Sequence, residues 1–115
     1  MEHKLTVPIE TTAFLFCRSM SETHYIRQIF LTLRDNMELL EDPDYKRLYD
    51  EALDYWVKDL ENKCILRKNN RKNNYENVEL TADIFVDASK RNNEKLFSID
   101  EVNTFLDARR QVWDK

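Results

Sequence analysis

The fold is decided by residues 26–60, which read IRQIFLTLRDNMELLEDPDYKRLYDEALDYWVKDL. In the first half of this stretch, apolar side chains recur mostly at intervals of three and four residues: Ile26, Ile29, Phe30, Leu33, Met37 and Leu40. An α-helix brings positions with this spacing onto one face, and that face must be buried against another element. Ser19 and Glu22 have the spacing of a capping box, so we predict a helix that begins there and ends near residue 40.

A second helix is predicted to begin at Asp42 and Pro43. The carboxylate can accept a hydrogen bond at the helix start, and the missing N–H of proline costs nothing at the first helical position. We predict helix to about residue 66, with apolar residues in two adjacent rows: Tyr49, Leu53, Trp56, Leu60 and Cys64 in one, and Tyr45, Leu48, Ala52 and Tyr55 in the other. Because only a few residues connect the two helices, they should form an antiparallel helical hairpin.

The residues before this hairpin are predicted to be an extended arm and a short buried helix. Apolar and polar residues alternate over residues 4–10, which fits a short edge strand or an extended arm. We favour the arm, over residues 1–10, because Pro8 cannot donate a hydrogen bond within a strand. Thr11 or Thr12 can cap a segment over residues 13–17, AFLFC, which is apolar on all sides. We expect this segment to fill the core.

The residues after the hairpin are predicted to be a polar loop and a C-terminal helix-loop-helix. Residues 67–76 read RKNNRKNNYE, a low-complexity polar stretch that we expect to be an exposed loop or a frayed helix end. Residues 78–86 fit either a strand or a helix, and we favour the helix. Ser98 and Glu101 repeat the capping-box spacing ahead of a final amphipathic helix, which has Arg109 on its apolar face.

These elements predict an all-α fold, a small bundle of four to five helices built on the antiparallel hairpin. With 115 residues the chain is the size of one domain, so we predict a single domain over residues 1–115. From residue 82 to 106, a helix, a polar connector and a second amphipathic helix resemble a degenerate EF-hand. Lys90 and Lys95 stand where an EF-hand needs a carboxylate and a glycine, so the resemblance implies a helical pair without calcium.

The complete absence of glycine excludes several enzyme classes. Phosphate-binding loops, dinucleotide turns and nucleophile elbows all need a residue without a Cβ. Cys17, His24 and Cys64 lack the spacing of metal ligands, so we expect neither a metal nor another cofactor.

A carboxylate group on the second helix is the best candidate for catalysis. Asp50, Glu51 and Asp54 lie close together in sequence, and two carboxyl groups one helical turn apart can raise each other's proton affinity. However, Lys58 lies one turn beyond Asp54, as on an ordinary charged and solvated helix face. We therefore expect no catalytic residues and no enzymatic activity.

The strongest functional signal is the acidic and aromatic character of the predicted hairpin. Residues 35–61 contain ten acidic and three basic residues, in a chain with a net charge of −4. Such a face can attract basic proteins, and aromatic residues beside charge are common at interface hot spots. The second helix also has more apolar residues than a small domain can readily bury. We predict a surface for protein binding or self-association at Tyr45, Tyr49, Asp50, Asp54, Tyr55 and Trp56.

The predicted function is that of an adaptor, a small structural subunit of a larger assembly, or an inhibitor. The asparagine-rich, glycine-free composition is compatible with a phage or another mobile element. Two cysteines far apart suit a reducing compartment, and no apolar run is long enough to cross a membrane. We therefore expect a cytoplasmic protein or, if it is encoded by a virus, one within a virus particle or an infected host cell.

A nucleic-acid-associated protein is the alternative interpretation. Arg67, Lys68, Arg71 and Lys72 could contact phosphates, and Tyr75 could stack on a base. The net charge of −4 opposes binding to a polyanion, so the affinity would be weak and sensitive to salt.

Overall fold

The structure is a computed structural model that describes residues 7–68, 71–91 and 96–114. Within these ranges it contains five α-helices: α1 (Ile9–Phe16), α2 (Glu22–Arg34), α3 (Pro43–Asn62), α4 (Arg71–Arg91) and α5 (Ile99–Trp113). A short 3₁₀ helix, Met37–Glu41, connects α2 to α3. No strand occurs in these three ranges. The predicted all-α bundle is therefore confirmed.

Side-chain caps define where three of the helices begin. Asp42 accepts a hydrogen bond from the backbone N–H of Asp44 at 2.9 Å, with Pro43 as the first helical residue. Ser98 accepts one from the N–H of Glu101 at 3.2 Å, as the capping-box spacing predicts. The cap of α2 is Ser21, not Ser19, because the helix begins at Glu22, two residues later than the predicted capping box requires.

Helices α2 and α3 form the predicted antiparallel hairpin. Near the start of α2, the hydroxyl of Thr23 is hydrogen-bonded to that of Tyr55 at 2.8 Å, late in α3. Near the end of α2, the Phe30 ring stacks on Tyr49 with 5.0 Å between centroids, in the first half of α3. Helices α2 and α3 therefore run in opposite directions, as the short connection predicts.

Helix α2 is buried on more than one face. The predicted apolar face is completely buried at Ile26, Ile29 and Leu33, but Leu31 on another side is buried as well. Met37, predicted on the same face, is instead exposed. The reason is that α2 ends at Arg34 and the chain continues as a 3₁₀ helix, which changes the direction of the following side chains.

Helix α4 covers the hairpin and begins earlier than the sequence predicts. The predicted loop over residues 67–76 is wrong from residue 71 onward, because α4 begins at Arg71; residues 69 and 70 lie outside the described residues. The first turn is held by Asn74, whose buried amide donates to Glu61 Oε2 at 2.7 Å and to the carbonyl of Arg67 at 2.5 Å. Residues 78–86 are helical, which confirms the helix interpretation over the strand.

Helix α1 begins at Ile9, so the predicted extended arm over residues 1–10 is wrong for its last two residues. Val7 and Pro8 precede the helix without regular structure, and residues 1–6 lie outside the described residues. The buried side of α1 consists of Ile9, Thr12 and Ala13, and it packs against α2, α3 and α5.

Arg109 connects α5 to α1 and α3 inside the protein. Its side chain is 1% exposed and forms a two-pronged ion pair with Glu51 of α3, with Nε to Oε1 at 3.1 Å and Nη2 to Oε2 at 3.0 Å. Nη1 donates to Thr12 Oγ1 at 2.8 Å and to the carbonyl of Pro8 at 3.4 Å, and Nη2 donates to the carbonyl of Val7 at 3.2 Å. All the N–H donors of the guanidinium therefore have an acceptor.

The end of α3 places a cysteine where proteins usually have glycine. Cys64 has a φ of 60°, the left-handed conformation, and follows the last turn of the helix. Its N–H donates to the Glu61 carbonyl at 3.0 Å, and the N–H of Ile65 donates to the Leu60 carbonyl at 2.9 Å. These two bonds form a Schellman motif, in which a residue with a Cβ is strained.

We predict that Cys64→Gly stabilises the protein by about 1 kcal/mol, because glycine adopts the left-handed conformation without steric cost. Chemical denaturation measures the free energy of unfolding. Cys64→Ala is the control, since it removes the thiol and keeps the Cβ, and it should give no such gain. Equal stabilisation by both variants would contradict the assignment of strain to the backbone.

We predict that Arg109→Met destabilises the protein by about 3 kcal/mol. The substitution removes the hydrogen bonds from α5 to α1 and leaves Glu51 without its buried partner. Glu51→Leu alone should cost a similar amount, since it leaves a buried guanidinium unpaired. The double variant should cost clearly less than the sum of the two, as a double-mutant cycle of unfolding free energies will measure. Additive effects would mean that the pair does not act as a unit.

Candidate functional site

The three tyrosines of the predicted binding surface are half-buried and hold α3 in place. The Tyr45 hydroxyl donates to Asn103 Oδ1 in α5, the Tyr55 hydroxyl is hydrogen-bonded to Thr23, and the Tyr49 ring lies on Phe30. Burial raises the pKa of all three hydroxyls above the ordinary value. The hydroxyls of Tyr45 and Tyr55 and the ring of Tyr49 are in contact with other helices, so the three tyrosines do not form an exposed aromatic patch.

Trp56 is completely buried, so its predicted place on a binding surface is wrong. Its ring makes edge-to-face contacts with Phe30 at 5.3 Å and Phe85 at 6.1 Å, and the Arg27 guanidinium lies 5.1 Å from its centre. The reason is that α4 covers the side of α3 that a two-helix hairpin would leave open.

Asp50 and Asp54, the acidic members of the predicted surface, lie on the outer side of α3. Asp50 forms an ion pair with Lys46 at 2.6 Å, and Asp54 forms one with Lys58 at 3.0 Å, each one helical turn away. These are pairs of an ordinary charged helix face. They favour the structural interpretation of these carboxylates over the catalytic one.

The most exposed large apolar side chains of the N-terminal region are Phe14 and Leu15 of α1, which we call the α1 patch. Phe14 is 67% exposed and Leu15 is 75% exposed. The expectation that residues 13–17 fill the core is therefore wrong for these two. An eight-residue helix has one face against the bundle, and the turn of about 100° per residue places Phe14 and Leu15 on the opposite side.

Carboxylates surround the α1 patch. Together with Glu10, Thr11 and Glu22, the patch lines a shallow hollow of about 340 Å³. Glu10 and Glu22 also line a neighbouring cleft of about 590 Å³ between the start of α1 and the outer side of α3. The patch and the cleft thus form one continuous surface that shares these two residues.

Five carboxylates line the cleft, and three of them are neutralised by ion pairs: Glu51 with Arg109, Asp54 with Lys58, and Asp59 with Arg27 and Lys63. In the described ranges, neither Glu10 nor Glu22 is in an ion pair. The pKa of Tyr55 in this cleft is raised, first by burial and then by Asp59, Glu10 and Glu22, while the hydrogen bond from Thr23 lowers it. Within the described residues, Glu10 and Glu22 are therefore the carboxylates of this cleft whose charge no ion pair offsets.

Arg109 positions the wall of the cleft. It binds the carbonyls of Val7 and Pro8 on one side and Glu51 on the other. The indole N–H of Trp113 donates to the same carboxylate at 3.2 Å. The first turn of α1, which carries Glu10, is thereby held at a constant distance from α3.

Sequence reasoning missed Phe14, Leu15, Glu10 and Glu22 as members of a site. A signal for them is present in residues 9–16, where Ile9, Thr12, Ala13 and Phe16 follow a spacing of three and four. A helix with that buried face leaves Phe14 and Leu15 outside. The uniformly apolar composition of residues 13–17 hid this pattern.

A second pair of exposed apolar residues lies on α4. Leu80 is 63% exposed and Ile84 is 67% exposed, one turn further along the helix. Opposite them, Val78 and Ala82 are completely buried. The pair is similar to the α1 patch in size and exposure, which makes it a matched control for experiments on that patch.

The residues of the alternative, nucleic-acid-binding interpretation are exposed where the structure describes them. Arg67 and Lys68 follow α3, and Lys72 and Tyr75 lie in the first turns of α4. The side chain of Arg71 lies outside the described residues. Exposed cations are also expected on an ordinary solvated surface. Nucleic-acid binding therefore stays a prediction.

The described residues contain no group of three or more His, Cys, Asp or Glu side chains that could hold a metal ion. Among the same residues, no helix is long and apolar enough to cross a membrane. No protein-family model, no curated protein and no solved structure matches this chain. Function is therefore inferred from the surface alone.

Tyr25 of α2 is the titratable group that the fold perturbs most clearly. Its ring contacts Phe97 at 4.7 Å, Phe105 at 5.5 Å and Phe16 at 6.1 Å. Burial among these rings raises the pKa of Tyr25 to about 12, with smaller contributions from Cys17 and Glu101. The fold thus favours the neutral phenol, because ionisation would place a charge in an apolar environment.

We predict that stability falls as the pH rises from about 10, the ordinary pKa of tyrosine, to about 12. The folded-state pKa of Tyr25 lies above the unfolded one, so its contribution is complete below about pH 10 and is lost towards pH 12. A shift of two units corresponds to roughly 3 kcal/mol. Unfolding free energies across this range will measure it, and Tyr25→Phe should show a clearly smaller decrease; an unchanged decrease would contradict the assignment.

Proposed function

We propose that this protein is a non-catalytic binding protein that holds another protein on the α1 patch and the adjoining cleft. It would act as an adaptor, as a small structural subunit of a larger assembly, or as an inhibitor. The observation that carries the proposal is the exposure of Phe14 and Leu15, side by side on a helix whose other face is in the core. Exposed apolar residues with a polar rim are typical of protein-interaction sites.

The attachment of α1 to the bundle supports this proposal. An isolated helix of eight residues is not stable in water, yet α1 is held by Arg109 and by the burial of Ile9, Thr12 and Ala13. A patch on such a helix is ordered before the partner arrives. Binding then costs less conformational entropy than binding by a free segment would.

The ion pairs of three of the cleft carboxylates also favour binding over catalysis at those three groups. Glu51, Asp54 and Asp59 in the cleft each have a basic partner within 3.1 Å. An acid–base catalyst needs a carboxyl group that is available to the substrate, with a pKa near the working pH. These three groups instead act as parts of ion pairs that hold α3 to its neighbours and to itself.

We predict that the double variant Phe14→Gln/Leu15→Gln loses the partner while it keeps the fold. Truncating two apolar anchors at the centre of an interface should weaken binding at least tenfold, about 1.4 kcal/mol or more. Affinity capture from lysate of the source cells, followed by mass spectrometry and by titration of the captured partner, will measure the loss. The thermal unfolding of the variant should change little, since both side chains are exposed.

The matched control is Leu80→Gln/Ile84→Gln on α4, which removes an equally exposed apolar pair. This variant should retain the partner. If both variants lose it equally, or if only the α4 variant loses it, the α1 patch is not the binding surface. Nucleic acid in the captured fraction, released by Arg67→Ala/Lys68→Ala/Lys72→Ala, would favour the alternative function instead.

A further inference from the structure

We infer that the partner segment seated on the α1 patch is a basic amphipathic helix, with an apolar side chain against Phe14 and Leu15 and a lysine or arginine against Glu10 and Glu22. This inference rests on the proposed function and adds the chemistry of the partner. It is carried by two exposed apolar side chains around one hollow, beside two carboxylates that form no ion pair with any of the described residues.

Charge complementarity selects a cation. Glu10 and Glu22 line both the hollow and the cleft, and the other carboxylates of the cleft already have basic partners. An acidic or neutral partner would leave the two glutamates desolvated without compensation, and burial of an unpaired charge is strongly unfavourable. A lysine or arginine satisfies them, and its aliphatic stem can lie on the neighbouring apolar residues.

The spacing on α1 matches the spacing of side chains on a helix. Glu10 and Phe14 are four residues apart, so their side chains are neighbours on one side of α1, with about 5–6 Å between Cβ atoms. A partner must therefore present a cation and an apolar group at the same separation. One turn of an amphipathic helix does this with residues i and i+4, and docking of such a helix on an apolar surface is a common recognition mode.

The electrostatic contribution should be moderate. Glu10 is in the first turn of α1 and Glu22 in the first turn of α2, where the partial positive charge of a helix N-terminus offsets part of the carboxylate charge. The two glutamates should therefore determine which partner is selected and how fast it associates, while the apolar pair supplies most of the affinity.

The test uses two synthetic helical peptides that carry two leucines one turn apart. They differ only in their charged positions, which are all lysine in one and all glutamate in the other. Titration into the ¹⁵N-labelled full-length protein gives both the affinity and the location, from shifts of backbone amides. We expect the lysine peptide to bind at least tenfold more tightly, to shift amides of α1 and the first turn of α2, and to weaken with salt.

Two charge variants separate local from overall electrostatics. Glu10→Gln/Glu22→Gln should weaken the lysine peptide by about tenfold. Glu38→Gln/Glu41→Gln removes the same charge from exposed positions of the 3₁₀ helix and should leave the affinity nearly unchanged. Equal binding of both peptides, shifts confined to another surface, or equal losses in the two variants would overturn the inference.

The same variants distinguish failure of this inference from failure of the proposed function. If the partner captured from lysate is lost by Phe14→Gln/Leu15→Gln but retained at full affinity by Glu10→Gln/Glu22→Gln, the surface is correct and the basic chemistry is wrong. If the captured partner is retained by both, the proposed function itself fails. If both variants lose the partner and the Glu38→Gln/Glu41→Gln control retains it, the proposed function and the inference are both supported.

Discussion

The buried ion pair between Arg109 and Glu51 is the interaction on which the arrangement of the bundle depends. A guanidinium has five N–H donors, and its removal from water is unfavourable unless all of them are satisfied. Here the acceptors come from α3, from Thr12 and from the backbone of Val7 and Pro8. Three segments that are far apart in sequence must therefore meet at one point, and any other packing of α1 would leave buried N–H donors of Arg109 without acceptors.

This constraint explains how a short helix can carry a rigid surface. Helix α1 buries only a small apolar face, formed by Ile9, Thr12 and Ala13. Such a helix depends on tertiary contacts for its stability. Because Arg109 fixes its first turn, the exposed Phe14 and Leu15 are held beside Glu10 and Glu22 instead of turning inward. The stability of the core and the shape of the proposed binding surface thus have a common origin.

Packing also explains why the predicted and observed surfaces differ. The aromatic residues of α3 are too numerous for a two-helix hairpin to bury, which is why the sequence predicts that some of them are exposed. Helices α4 and α5 supply the missing cover, so Trp56 is completely buried and Tyr45 bonds to Asn103. The first turn of α4 was hidden because its buried residue is Asn74, a polar side chain whose amide finds acceptors in Glu61 and Arg67.

The sequence by itself determined the helical class, the starts of α3 and α5, and the antiparallel hairpin. These follow from local physics: caps at Asp42 and Ser98, apolar spacing within α2 and a short connection. Only the tertiary structure decided which apolar residues stay exposed and which carboxylates stay unpaired. Periodicity defines a face of a helix, but whether that face is covered depends on elements from distant parts of the chain. Trp56, predicted on a surface, is buried, whereas Phe14, predicted in the core, is exposed.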